Sequence, residues 1–237
     1  MTEDLRKNLH RGIDSIQHDV VRLSAMVAEG VVAGTAALLD SDMDAAQSLI
    51  DADDVLDELT NDLEERCFAV LALEQPMASD LRSVTGSLRI ASDLERAGDL
   101  VVNIMKGARR MYGQDLPVRL RGIIQQMSEE SARLIRLASD AYAERNGALG
   151  SALNEIDNRL DELQRDFIAA MFDAHTNGEC ELPQAVQLAL IARYYERIGD
   201  HAVNIGERVA FIATGALPDY AAMGARGVPG AGSAEEE

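Results

Sequence analysis

Tryptophan is absent from this 237-residue chain, aromatic residues make up only 4 % of it, and there are just two cysteines and five prolines. Cys67 and Cys180 lie far apart and form no C-x-x-C pair, so we interpret them as ordinary buried residues. No stretch approaches about 20 consecutive apolar residues, and the amino terminus carries no apolar signal region. We therefore expect no membrane-spanning helix and a cytoplasmic location.

Positive charge is also scarce. The 22 lysines and arginines stand against 41 aspartates and glutamates, which gives a formal net charge of −19. A surface this acidic repels phosphate backbones, so it argues against nucleic-acid binding. It suits metal cations or a basic patch on a protein partner, although acidity that only keeps a protein soluble would give the same total.

The chain is 47 % hydrophobic, and its apolar residues follow helical spacing. One stripe, at alternating steps of three and four, consists of Ile13, Ile16, Val20, Leu23 and Val27. No β-like alternation is found, so the predicted class is all-α. Breaks at prolines and turn residues predict six long helices. They run from Leu9 to about Asp40, from the capping residue Asp42 to about Leu73, from Pro76 to about Arg110, from about Leu120 to Asn146, from Leu149 to about Phe167, and from about Leu182 to Thr214.

The sequence also repeats itself. The segment "ERAGDLVVNI" at 95–104 returns as "ERIGDHAVNI" at 196–205, and "DVLDELTNDL" at 54–63 is similar to "NRLDELQRDF" at 158–167. Two tandem three-helix bundles are the economical interpretation. We assign residues 1–113 and 114–217 to the two repeats, and we expect the Gly- and Ala-rich segment 218–237 to be a disordered tail.

Acidic residues recur at four-residue steps within the repeats. Residues four apart on a helix are rotated by about 40° and share one face, so Glu95, Asp99 and Asn103 form a line of oxygen ligands. The matching residues of the second repeat are Glu196, Asp200 and Asn204. The preceding helix of each repeat carries a further acid pair, Asp53 with Asp57 in the first repeat and Asp157 with Asp161 in the second. His201 is a further candidate, as a ligand, as a residue that supports the ligands from behind, or as an ordinary surface histidine, and Asn103 and Asn204 could likewise bind the metal or support its ligands.

Glu95 and Glu196 each occupy a position whose neighbours at seven-residue steps are apolar. These neighbours are Leu81, Leu88 and Val102 in the first repeat and Leu182, Ala189 and Val203 in the second. An uncompensated carboxylate at a helix interface is costly, so three explanations compete: pairing with Arg96 and Arg197, a solvated groove that tolerates repulsion, and a bound cation. Oxygen ligands favour hard cations such as iron, manganese or magnesium, with zinc as a further option.

The twin segments at Glu95–Ile104 and Glu196–Ile205, with "VLALEQPMASDLR" at Val70–Arg82, resemble the PhoU family of phosphate-uptake regulators. The resemblance covers the chain up to about Pro218. It implies two PhoU repeats with pseudo-two-fold symmetry, each a three-helix bundle, and metal clusters on the acidic residues named above. It also implies a cytoplasmic homodimer that negatively regulates phosphate uptake and phosphate-starvation signalling by binding the ATPase subunit of the phosphate ABC transporter and its sensor histidine kinase.

Two other functions stay open. A metal-free acidic adaptor would dock the same carboxylates on a basic patch of the kinase or the transporter ATPase. A carboxylate-bridged dimetal oxidase would use Glu-x-x-His pairs on facing helices, and none of the four histidines lies three residues after a glutamate. The preferred hypothesis is a non-enzymatic regulator, because the sequence offers no set of nucleophile, base and orienting residue.

Overall fold

A computed structural model describes the backbone of residues 2–216 and the side chains from residue 6 onward. Within that range the chain is almost entirely helical and has no strand. The helical segments are α1 (Thr2–Asp40), α2 (Met43–Asp51), α3 (Asp53–Glu74), α4 (Ser79–Arg110), α5 (Val118–Ala143), α6 (Gly147–Ile156), α7 (Asn158–Thr176) and α8 (Leu182–Thr214). The predicted all-α class is confirmed, and the predicted tail at 218–237 lies outside the described residues.

The six predicted helices are all present, but two of them are interrupted. The second is divided at Ala52 into α2 and α3, and the fifth is divided at Asp157 into α6 and α7. At each break a hydrogen bond spans three residues, as in a 3₁₀ turn, where an α-helix would span four. The Val55 N–H donates to the Ala52 carbonyl at 3.2 Å, and the Leu160 N–H donates to the Asp157 carbonyl at 2.8 Å. Neither position is a proline or a glycine, so the sequence pattern gave no signal for these breaks.

Side-chain caps fix the start of the shorter helix in each repeat. Asp42 accepts a hydrogen bond from the Ala45 N–H at 2.9 Å, which confirms the predicted cap, and Asn146 accepts one from the Leu149 N–H at 3.0 Å. The turns before α2 and α6 therefore follow the same design in the two repeats.

Four long helices form the centre of the molecule. Helices α1 and α4 of the first repeat pack against α5 and α8 of the second, so the two repeats share one hydrophobic core. Buried hydroxyls join the repeats as well, since the Thr35 hydroxyl lies 2.7 Å from those of both Ser128 and Tyr195, and the Ser87 hydroxyl lies 2.6 Å from that of Tyr142. The remaining helices pack on their own repeat, α2 and α3 on α1 and α4, and α6 and α7 on α5 and α8.

By length and composition, α1 could cross a membrane, with a mean hydropathy of 1.4 in its most apolar window within Arg6–Asp40. A core helix of a helical bundle passes the same test. The predicted stripe of α1 is at most 5 % exposed, comprising Ile13, Ile16, Val20, Leu23 and Val27. Because this helix packs against α3, α4 and α5, it has the contacts of a core helix.

Candidate metal centre

The acids of the second repeat lie together in one open groove between the α6–α7 junction and α8. Asp157 stands at the break before α7, and Asp161 lies in the first turn of α7. The groove has a volume of about 730 Å³ and is lined by Asn154, Asp157, Asn158, Asp161, Glu196, Asp200, Val203, Asn204 and Glu207. The structure therefore brings the four predicted acids of this repeat, and the predicted amide, into what we call the second-repeat groove.

Two of these carboxylates are buried, and each has one oxygen without a hydrogen-bond partner. Asp157 is 9 % exposed and Glu196 is 8 % exposed, and neither Asp157 Oδ1 nor Glu196 Oε2 has a hydrogen-bond partner. Burial, and then the charges of Asp161 and Asp200, raise the pKa of Asp157 to about 7. Burial, and then the charge of Asp200, raise the pKa of Glu196 to about 7. Ionised oxygens in such positions carry an uncompensated desolvation cost, which a cation would offset.

The arginine that pairs with Glu196 is Arg193, not Arg197. Arg193 lies three residues earlier on α8, on the same helix face, and it forms an ion pair with Glu196 Oε1. Burial raises the pKa of Asp200, and the positive charge of Arg193 partly offsets that rise. Since the pair occupies one oxygen of Glu196 and leaves Oε2 without a partner, the salt bridge compensates only part of the carboxylate.

A further carboxylate acts on the second-repeat groove from α5. The charge of Glu130 adds to the raised pKa of Asp157, after burial and after the charges of Asp161 and Asp200. On its own helix Glu130 accepts a hydrogen bond from Arg133 Nε at 3.0 Å. Glu130 is not among the predicted acids, because no acid lies four residues away from it, and only the packing of α5 beside α7 places it here.

His201 faces away from the acids that precede it. Its Nδ1 lies 3.0 Å from Asp93 Oδ1 on α4, and Asn204 Nδ2 donates to the same oxygen at 3.4 Å. His201 is only 7 % exposed, so it is neither a surface residue nor part of the groove lining. A step of one residue rotates a side chain by about 100°, which turns His201 from the face of Asp200 towards the other repeat.

The acids of the first repeat lie closer to solvent. Asp57 and Glu95 line a recess of about 230 Å³ together with Thr60, Asn61, Glu64 and Ser92. Burial, and then the charges of Asp57 and Asp99, raise the pKa of Asp53. Burial, and then the charges of Asp99, Asp57 and, to a smaller extent, Asp53, raise the pKa of Glu95. Asp53, Asp57, Glu95 and Asp99 are thus close enough to repel one another, and we call these four acids the first-repeat groove. Only Asp57 and Glu95 line the recess itself, whereas Asp53, Asp99 and the half-buried Asn103 do not.

A glycine lies beside the acids in each repeat. A Cβ at Gly199 would lie 2.5 Å from Asp157 Oδ1 and 2.6 Å from Leu160 Cδ2. A Cβ at Gly98 would lie 3.1 Å from Leu56 Cδ1 and 3.8 Å from Asp53 Oδ1. The missing side chain lets the kinked helix of each repeat approach closely, and the approach is tighter in the second repeat.

Among the side chains that the structure describes, from residue 6 to residue 216, no three of the His, Cys, Asp or Glu type converge tightly enough to form a ready-made metal site. The donor set of each groove is nevertheless the one that hard cations prefer, since it consists of carboxylate oxygens with asparagine amides beside them. Among the described residues, three buried carboxylate oxygens have no partner: Asp157 Oδ1 and Glu196 Oε2 belong to the second-repeat groove, and Glu74 Oε2 lies outside the lining of either repeat's site. The first-repeat recess has an unpartnered hydroxyl, Thr60 Oγ1, but no such carboxylate oxygen. The residues therefore fit a cation better in the second repeat than in the first.

Comparisons with known proteins agree with the duplicated architecture. A family model described as the PhoU domain matches this chain twice, at residues 20–108 and 124–209. The phosphate-specific transport system accessory protein PhoU homolog of Rhizobium meliloti is 34 % identical over 200 residues, which is 83 % of this chain and 84 % of that protein. Homolog 1 of Mycobacterium tuberculosis is 30 % identical over 215 residues, covering 90 % of this chain and 96 % of that protein.

Two solved structures share the fold. The phosphate transport system regulatory protein PhoU from Streptococcus pneumoniae superposes with a TM-score of 0.82 at 24 % identity, covering 89 % of this chain and 99 % of that one. PhoU from Pseudomonas aeruginosa superposes with a TM-score of 0.80 at 24 % identity, covering 87 % and 99 %. With both halves matched by the same domain and most of the length shared with these relatives, the chain belongs to the PhoU family.

Proposed function

We propose that this protein is an accessory regulator of phosphate transport that represses phosphate-starvation genes when phosphate is plentiful. The observation that carries the proposal is the match of the PhoU domain to both halves of the chain, with a relative named as a phosphate-specific transport accessory protein at 34 % identity. The regulator acts by binding the ATPase subunit of the phosphate ABC transporter and the phosphate-sensing histidine kinase. It does so as a cytoplasmic homodimer that reaches the membrane only through these partners.

The regulator also holds metal ions on its carboxylates. In the second repeat the ligands are Asp157, Asp161, Glu196 and Asp200, and in the first repeat they are Asp53, Asp57, Glu95 and Asp99. The buried oxygens without partners and the raised pKa values of Asp157 and Glu196 support this assignment, because both reflect negative charge that the protein alone leaves uncompensated. A hard cation such as iron, manganese or magnesium, or else zinc, would lower that repulsion and tie the kinked helix of each repeat to the helix that carries the glutamate.

The dimetal oxidase has less support than the regulator. Such a site needs imidazole ligands beside the carboxylates. His201, which follows Asp200 directly in the sequence, bonds Asp93 of the other repeat instead. The metal-free adaptor differs from the proposed regulator in one measurable property, the metal content of the purified protein.

Deletion of the gene, followed by complementation, tests the regulatory role. In phosphate-rich medium, loss of the protein should raise the expression of phosphate-starvation genes, and the wild-type gene should restore repression. Unchanged expression in the deletion strain would contradict the proposal. Complementation by Asp157→Asn/Glu196→Gln tests whether repression needs the groove carboxylates, which act through metal in the proposed regulator and through direct docking in the metal-free adaptor. The metal content of the purified protein then separates these two possibilities.

A further inference from the structure

The last two turns of α4 carry a concentration of positive charge that the acidic grooves do not use. Lys106, Arg109 and Arg110 line an open recess of about 360 Å³, to which no acidic side chain contributes. In a chain with 41 acidic residues and 22 basic ones, a recess bounded only by cations is unlike the rest of the surface.

Neutral amides, not carboxylates, hold the two guanidinium groups. Arg109 Nη1 donates to Gln47 Oε1 on α2 at 2.7 Å, and Arg110 Nη1 donates to Gln187 Oε1 on α8 at 3.4 Å. The Gln47 amide is itself oriented by Asp51, to which its Nε2 donates at 2.7 Å. Among the residues that the structure describes, no carboxylate comes within ion-pair distance of any of the three cations. The guanidinium groups are therefore positioned while their charge stays available.

The position of the recess connects it to both repeats. Gln47 belongs to the first repeat and Gln187 to the second, so the two amides tie the end of α4 to helices from either half of the molecule. Lys106 also acts on Asp53 of the first-repeat groove, where its charge opposes the rise in the pKa of that carboxyl. A ligand in the recess would thus contact the junction of the repeats and neighbour one acidic groove.

We propose that Lys106, Arg109 and Arg110 bind an oxyanion of the phosphate class, either inorganic phosphate or the phosphate group of a nucleotide. Arginine presents paired N–H donors that match the oxygens of phosphate, and lysine adds a compact charge. Pre-positioned guanidinium groups lose less side-chain entropy on binding than free ones do. The site stands independently of metal in the acidic grooves, because it uses none of their ligands.

Titration of the full-length, isotope-labelled protein at low ionic strength tests the site. Inorganic phosphate and AMP are the two probes, and the side-chain amide signals of Gln47 and Gln187 are the readout, since these groups contact the arginines. We expect both signals to shift saturably. In Arg109→Gln/Arg110→Gln the affinity should fall at least about tenfold, because the paired donors are lost.

The matched control, Arg11→Gln/Arg22→Gln, removes the same charge from exposed positions on α1 and should change the affinity less than about twofold. Lys106→Gln, which leaves both arginine contacts in place, should weaken binding while the amide signals of the free protein stay unmoved. AMP binding that is much tighter than that of phosphate would identify the ester as the ligand, and equal affinities would identify the free anion. The proposal would be overturned if neither probe gave a saturable shift. It would also be overturned if Arg109→Gln/Arg110→Gln and the control weakened phosphate binding equally. In either case the three cations would only stabilise the C-terminal end of the α4 dipole.

Discussion

Gly199 on α8 packs against Asp157 so closely that a Cβ at position 199 would lie 2.5 Å from Asp157 Oδ1. The same Cβ would lie 2.6 Å from Leu160 Cδ2, so both a ligand candidate and a core side chain depend on this glycine. The close approach explains why the repeated segments carry glycine between the glutamate and the aspartate. It also ties the packing of α7 on α8 to the position of a buried carboxylate.

Gly199→Ala should therefore destabilise the protein. Overpacking at a tight contact costs about 1–3 kcal/mol, which exceeds the gain of up to about 1 kcal/mol that alanine brings inside a helix. Gly122→Ala is the control, because nothing lies within 4 Å of a Cβ at that position on α5 and the change should be neutral or stabilising. Urea unfolding of both variants measures the difference. Equal stability of Gly199→Ala and the wild type would show that the structure places α7 too close to α8.

The raised pKa values of the second-repeat groove predict a pH dependence for the metal-free protein. The pKa values of Asp157 and Glu196 are both about 7 in the folded protein, above the ordinary values of 3.8 and 4.5 for these carboxyl groups. Between these values and pH 7 the folded state binds more protons than the unfolded state, so the free energy of unfolding must fall as the pH rises. The stabilising contribution is complete below about pH 4 and is lost as the pH passes through about 7.

Urea unfolding in the presence of a chelator, at pH 5 and at pH 8, checks this prediction. Asp157→Asn/Glu196→Gln removes both ionisations, so the variant should be more stable than the wild type at pH 8, by on the order of 2 kcal/mol, with little difference at pH 5. Asp166→Asn/Glu162→Gln changes two exposed acids on α7 and is the control. Parallel pH curves for the wild type and the groove variant would contradict the assignment.

His201 joins the two repeats through Asp93, so its substitution should affect stability and leave metal binding unchanged. A double-mutant cycle with His201→Gln and Asp93→Asn should give a coupling energy of about 0.5–2 kcal/mol, because a buried charge-assisted hydrogen bond is shared between them. The metal content of His201→Gln should equal that of the wild type. A loss of metal in His201→Gln would contradict this prediction and would indicate that His201 is a metal ligand.

The sequence was sufficient for features that depend on local periodicity. The α1 stripe from Ile13 to Val27 and the acids at four-residue steps follow from helix geometry, and the structure places them on shared faces. Contacts between side chains on different helices could not be predicted from helix periodicity. The bond from His201 to Asp93, and the effect of Glu130 on Asp157, depend on how α4 and α5 pack against the second repeat.

The choice of arginine beside Glu196 was within reach of helix geometry. Arg197 is rotated by about 100° from Glu196, whereas Arg193 lies one turn earlier on the same face. The breaks at Ala52 and Asp157 could not be predicted, because no proline, glycine or capping residue marks both of them. The two repeats keep the same break through packing that a single sequence does not reveal.

Metal content is the most direct test of the claim that the acidic grooves hold hard cations. Protein produced with abundant iron or manganese and purified without a nickel column should retain metal. Asp157→Asn/Glu196→Gln should lose the share held by the second repeat, and Asp166→Asn/Glu162→Gln should keep the wild-type amount. Near-zero metal in all three proteins, or equal metal in the wild type and the groove variant, would contradict the account.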